Sequence, residues 1–164
     1  MSNLTRILVP SDFSACSDAA VRYGLELARK FGATLHLLHV VQDPATQPWA
    51  AEGFAAPLVE AVEQWQKDAR IRLENLIPPE DRVTAVVTCA LAAPCPEILR
   101  YAADNEIDLI VMGTHGRGGV SHMLLGSIAE KVVRRAPCPV LTVRQGEHEF
   151  VEPGVPVAAA VAAG

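Results

Sequence analysis

The sequence predicts an α/β protein: a five-stranded parallel sheet with helices on both faces. Short aliphatic runs and helix-period segments alternate four times, and a last aliphatic run closes the series. Crossovers of that kind build parallel sheets covered on both sides. Half of the 164 residues are hydrophobic but only 5% are aromatic. The core must then be made of Val, Ile, Leu and Ala, which suits strands buried on both faces. Finally, Asp108–Arg135 runs from an apolar segment through a glycine-rich loop to a helix start, a junction typical of such folds.

The elements follow in order. Thr5–Val9 is a short aliphatic run and reads as a strand, stopped at Pro10. Ser14 is placed to cap a helix whose inward face holds Ala20, Gly24, Leu27, Ala28 and Phe31, and Gly32 stands where that helix stops. Thr34–Val41 is a second strand; His36 and His39, three apart, point to opposite faces and cannot share a metal. Asp43–Ala56 has no period and reads as a long loop, mobile or a functional flap, carrying Trp49 and Phe54. A helix from about Pro57 to Ile77 presents Leu58, Val62, Trp65, Ala69, Leu73 and Leu76 inward, with Trp65 expected in the core. Pro78-Pro79 ends it. Arg82–Cys89 reads as a third strand. Pro96 suits the first turn of a short helix through Ile98, Leu99 and Ala102. Leu109–Met112 is a fourth strand ending at Gly113, a helix begins at Ser127, and Val140–Val143 is a fifth strand. Residues 1–144 form one domain. Residues 145–164, rich in Ala, Val, Pro and Gly, read as a tail, disordered alone or packed on a partner.

Chemistry concentrates between the fourth strand and the last helix. Gly113, Gly116, Gly118, Gly119 and Gly126 let the backbone approach a ligand closely, and Ser127 and Glu130 have the spacing of a capping box. Unpaired N–H groups and the helix dipole favour an anion there. The expected ligand is the phosphate chain of a nucleotide. This is neither a P-loop, since no G-K-[S/T] occurs, nor the dinucleotide fingerprint, since Ser121 stands at the third glycine position. With the first and fourth strands adjacent, Pro10-Ser11-Asp12 and Gly113 would meet at the point where strand order reverses, where ligands bind in open α/β sheets.

Composition excludes other classes. A net charge of −5 argues against a general nucleic-acid binder. Cys16, Cys89, Cys95 and Cys138 lack C-x-x-C spacing and are expected as reduced thiols in a cytoplasmic protein rather than a disulfide framework or zinc site. No stretch has the apolar length of a membrane span.

Four segments resemble the universal stress protein family: PSDFS at Pro10–Ser14, LLHVV at Leu37–Val41, DLIVMGTHGRGG at Asp108–Gly119 and GSIAEKVVRRAPCPVLTVR at Gly126–Arg144. The resemblance includes G-x2-G-x9-G-[S/T], met by Gly113, Gly116, Gly126 and Ser127, which in that family marks the ATP-binding members. It implies the strand order 3-2-1-4-5 and a homodimer. It also implies that Gly113, Gly116, Gly126 and Ser127, with Ile128 beside them, meet the phosphates, with Thr114, His115, Arg117, Gly118 and Gly119 in the same wall. Asp12 would hold the nucleoside, Pro10, Ser11 and Val40 would border ribose and adenine, and Met112 would line the base pocket. Ala92 departs from the family, where a glycine often precedes the stretch that here reads Pro94-Cys95-Pro96-Glu97-Ile98. The residues keep plainer roles open. Asp12 could cap the first helix, Ser127 could cap the last, and His115 and Arg117 could be loop residues facing solvent.

No catalytic residue is assigned. The glycine loop has no lysine and no second carboxylate beside it, and Asp108 falls at the opposite end of the fourth strand. Mg²⁺ could arrive with ATP and be held by Asp12 or Ser127. The expected activity is that of a nucleotide-dependent regulator of the stress response; the alternatives are a slow ATP hydrolase and a dimeric scaffold that uses no nucleotide. The apolar fifth strand is expected at a sheet edge, where Val140, Leu141, Thr142 and Val143 would pair with a second copy.

Overall fold

The computed structural model describes residues 4–42, 55–114 and 125–144, with the backbone alone for 55–60 and 82–84. Its elements are β1 (Arg6–Pro10), α1 (Ala15–Phe31), β2 (Thr34–Val41), α2 (Ala55–Asn75), a 3-10 turn (Pro79–Thr84), β3 (Ala85–Leu91), α3 (Pro94–Asp104), β4 (Leu109–Gly113), α4 (Ser127–Arg135) and β5 (Val140–Val143). All five strands are parallel, in the order β3-β2-β1-β4-β5. The fold class and the strand order are therefore those expected. Among the described residues no helix is long and apolar enough to cross a membrane.

Sheet parity divides the core. Ile7, Val9, Leu35, Leu37, Val111 and Val143 pack against α1 and α2. Leu8, Leu38, Ile110 and Met112 pack against α3 and α4. Successive strand residues point to opposite faces, so runs such as ILV and LIVM are apolar throughout because both faces are covered.

Local chemistry sets most boundaries. The Ser14 side chain accepts from the Ser17 N–H and caps α1, and Gly32 closes it at φ 66°, a left-handed position open to glycine. Asp108 ties the N-terminal ends of the two central strands: its Oδ2 accepts from the Thr5 N–H at 2.8 Å, the Thr5 hydroxyl at 2.7 Å and the Arg6 N–H at 2.9 Å. Those donors hold its carboxyl below the usual carboxylate range.

Several boundaries and two core assignments differ. The segment after Pro78 makes a 3-10 turn before pairing, so β3 runs over Ala85–Leu91, not Arg82–Cys89. Helix α2 starts and ends two residues before the expected span. Helix α3 starts at Pro94, whose missing N–H costs nothing in a first turn; Pro96 lies further along that turn. Ala92 forms a bend just after β3, its N–H donating to the Val41 carbonyl at 3.0 Å. Phe31 is 54% exposed because it is the last residue of α1. Trp65 is 47% exposed, whereas Val62, Ala69 and Leu73 are buried. A helical step of three turns Trp65 some 60° away from Val62, to the margin of the buried stripe.

Candidate functional site

A cleft of about 970 Å³ opens over the C-terminal ends of the central strands. That is the upper end of the size range of small-molecule sites. Pro10, Ser11 and Asp12 from the end of β1, Val40 from β2, Met112 and Gly113 from β4, Thr114 after it, and Gly126, Ser127 and Ile128 at the start of α4 all line it. The two chemistry-rich corners of the sequence thus share one cavity, because β1 and β4 are neighbours that lead to helices on opposite faces. His115, Gly116, Arg117, Gly118 and Gly119, expected in the same wall, lie outside the described residues, as do Trp49, Phe54 and the 145–164 tail.

The β1 corner is tightly organised. The Ser11 N–H donates to the Leu38 carbonyl at 2.9 Å, and the Ser11 hydroxyl accepts from the Phe13 N–H at 3.1 Å. Asp12 Oδ1 accepts from the Ser14 N–H at 3.1 Å, so the carboxylate stabilises the turn entering α1, while Ser14 is the cap. Turn role and cleft position coexist in Asp12. Phe13 takes φ 61° and meets one ring and one cation: its ring centroid is 4.5 Å from that of His39 and 4.0 Å from the guanidinium carbon of Arg72. His39 Nδ1 is 2.7 Å from the Ser11 carbonyl oxygen, which acts as the acceptor. In the first turn of α1, Asp18 has its carboxyl raised by burial, opposed by Arg22 and Arg72 and augmented by the charge of Asp12.

The β4 corner differs from expectation in one respect. Ser127 is not the cap of α4; Gly126 is, at φ −67° and ψ 154°, with no side-chain cap bond. The Gly126 N–H donates to the Thr114 carbonyl at 2.6 Å, and that clasp fixes the chain one residue before Ser127. Glu130 therefore sits one position too far along to close a capping box and instead meets Arg134 at 3.0 Å. Gly126, Ser127, Ile128 and Ala129 line the cleft, and the first-turn N–H groups of a helix have no acceptor within it. That arrangement can receive an anion. Thr114 is buried, its N–H donating to the Val143 carbonyl at 2.9 Å.

Sequence reasoning overlooked part of the wall. Phe13, His39, Trp65, Asp68 and Arg72 line the cleft on one side, Pro94 and Ile98 on another. The α2 members had a readable signal: Trp65, Asp68, Ala69 and Arg72 fall at helical steps on one face, a mixture of indole, charge and a small residue that a core stripe rarely carries.

The family model of the universal stress protein family matches residues 3–144.

The chain belongs to the universal stress protein family.

Universal stress protein MJ0531 of Methanocaldococcus jannaschii is 32% identical over 145 residues, covering 88% of this chain and 84% of that protein. The universal stress protein UspA from Lactobacillus plantarum superposes with a TM-score of 0.70 at 31% identity, over 88% of this chain and 100% of that one. The same fold is shared with a universal stress protein in complex with cAMP (TM-score 0.57, 23% identity, 87% of this chain and 98% of that one). It is shared also with one from Archaeoglobus fulgidus in complex with dAMP (TM-score 0.55, 19% identity, 87% and 99%).

Proposed function

We propose that this universal stress protein binds an adenine nucleotide, ATP in the first instance, and acts as a nucleotide-dependent regulator or signalling module of the stress response. The observation that carries the reading is the single cleft lined by Asp12 at one corner and by Gly126 and Ser127 at the other. Phosphates would lie against Gly113, Thr114, Gly126, Ser127 and Ile128, continued by His115, Gly116, Arg117, Gly118 and Gly119. The nucleoside would lie toward Pro10, Ser11, Asp12, Val40 and Met112. Relatives of this fold solved with cAMP and dAMP support adenine as the base.

The donor set fits the polyphosphate better than a resident cation. Among the described residues no group of three or more His, Cys, Asp or Glu side chains could hold a metal. Mg²⁺ would travel with ATP, its charge met by Asp12 or by the Ser127 hydroxyl, and would neutralise phosphate oxygens when bound. In that complex the α4 amides orient the phosphates, and the β1 turn holds the sugar. A homodimer through the β5 edge, in the cytoplasm, completes the proposal. Its support is that β5 is an edge strand with Leu141 38% exposed.

Mass spectrometry of the protein released from its purified, non-denatured state tests the reading, with calorimetric titration of ATP beside it. Co-purified or titratable adenine nucleotide, weakened by Gly116→Val, is expected. Absence of binding at millimolar ATP would leave a nucleotide-independent scaffold.

A further inference from the structure

Among the described residues, Phe13 and Glu106 are the non-glycine positions with positive φ, at 61° and 48°. Glu106 follows the end of α3, where a left-handed residue commonly closes a helix. Phe13 stands instead between the end of β1 and the start of α1, in the wall of the cleft. A bulky residue is disfavoured in that conformation because its Cβ crowds the following carbonyl. It persists only where its surroundings over-determine it.

Three elements do so here. The Phe13 N–H donates to the Ser11 hydroxyl at 3.1 Å, within the turn itself. From β2, the His39 ring centroid lies 4.5 Å from that of Phe13, and His39 Nδ1 is 2.7 Å from the Ser11 carbonyl oxygen. From α2, the Arg72 guanidinium stands over the Phe13 ring at 4.0 Å. Ser11, His39 and Phe13 thus close a circuit of contacts around the turn, and Arg72 adds a hold from a helix distant in sequence.

Asp12 lies inside that circuit. It lines the cleft, and its Oδ1 accepts from the Ser14 N–H at 3.1 Å, so the course of the turn sets where the carboxylate stands. The backbone angle at Phe13 joins Asp12 to α1, which Ser14 caps. A carboxylate held in place before its ligand arrives binds with a smaller ordering cost.

Resting on the adenine-nucleotide reading, we infer that Phe13 is a positioning residue. Its ring, packed with His39 and Arg72, keeps the Ser11–Ser14 turn in the shape that presents the Asp12 carboxylate to the sugar hydroxyls. The part of α2 that borders the nucleoside corner then acts through Phe13, with no need to touch the ligand.

The test titrates ATP and dideoxy-ATP, which lacks both ribose hydroxyls, separately into the full chain by calorimetry at fixed salt. The wild type is expected to prefer ATP about tenfold, the worth of one hydrogen bond to a charged carboxylate. Phe13→Gly admits the left-handed backbone but removes the ring, and should bring the preference below about threefold. Phe13→Tyr keeps the ring and should retain the preference. Arg72→Gln, at an exposed position of α2, should lower it about two- to threefold, the size of one exposed cation–π contact. Should Phe13→Gly unfold, an unchanged preference in Arg72→Gln overturns the inference by itself. A preference that survives Phe13→Gly overturns it as well, and so do equal losses of both ligands, which would make the ring a direct contact or a general support of the fold. Equal affinity of the wild type for the two ligands overturns the positioning role and leaves the adenine-nucleotide reading standing. Failure of ATP itself to bind overturns that reading and this inference with it.

Discussion

The Cβ that Gly113 lacks would stand 2.9 Å from the backbone carbonyl of Cys16. The last residue of β4 and the first turn of α1 are packed backbone to backbone beneath the cleft. The glycine at this position therefore has a packing reason beside its expected place in a phosphate wall.

Gly113→Ala should destabilise the fold by about 1–3 kcal/mol, since a methyl group forced against backbone cannot be relieved by rotating a side chain. Urea denaturation reads the loss as a lower midpoint with unchanged slope. A wild-type midpoint would show that the strand end shifts freely, contrary to the observed contact.

Ser127 sits inside the first turn of α4 rather than at its cap, so its hydroxyl is not engaged in capping. Ser127→Ala should leave stability within about 0.5 kcal/mol, whereas replacing a true serine cap costs about 1 kcal/mol. The same variant should weaken ATP binding by about tenfold, the worth of one hydrogen bond to a charged phosphate. A stability loss without a binding loss would return Ser127 to a capping role.

His36 is buried under α3, its Nδ1 3.0 Å from the Tyr101 hydroxyl, which in turn lies 3.3 Å from the Thr88 hydroxyl. Burial, and then the charge of Arg6, lowers its pKa from the ordinary 6.5. The folded state thus holds the neutral ring while the unfolded chain takes a proton. The resulting stability is complete above about pH 6.5 and is lost as pH falls toward the depressed value. Melting temperatures between pH 7.5 and 5.5 should decline for the wild type and decline less for His36→Leu. Parallel profiles for the two would assign the pH dependence elsewhere.

Leu141 is 38% exposed on the edge strand β5, whereas Val143, two residues on and on the same face, is buried in the core. Leu141→Glu should leave the monomer folded, because it changes a partly exposed position on an edge strand, and should shift a dimer toward monomer in multi-angle light scattering. An unchanged mass would place the subunit contact on another surface.

Much of this architecture was legible in the chain. Alternating aliphatic and helical segments, Ser14 before α1, Gly32 after it and the β2 and β5 runs matched the observed elements because each is decided by local chemistry. That Asp12 and Ser127 line one cleft was legible too, since strand alternation and parallel pairing leave few topologies. Tertiary structure alone decided the rest. The bond from the Gly126 N–H to Thr114 moved the helix cap off Ser127. The approach of Cys16 required glycine at position 113. Trp65 left the core for the cleft because a periodic stripe specifies a helix face only to within about half a turn. Which residue at its margin is covered depends on where the neighbouring sheet ends.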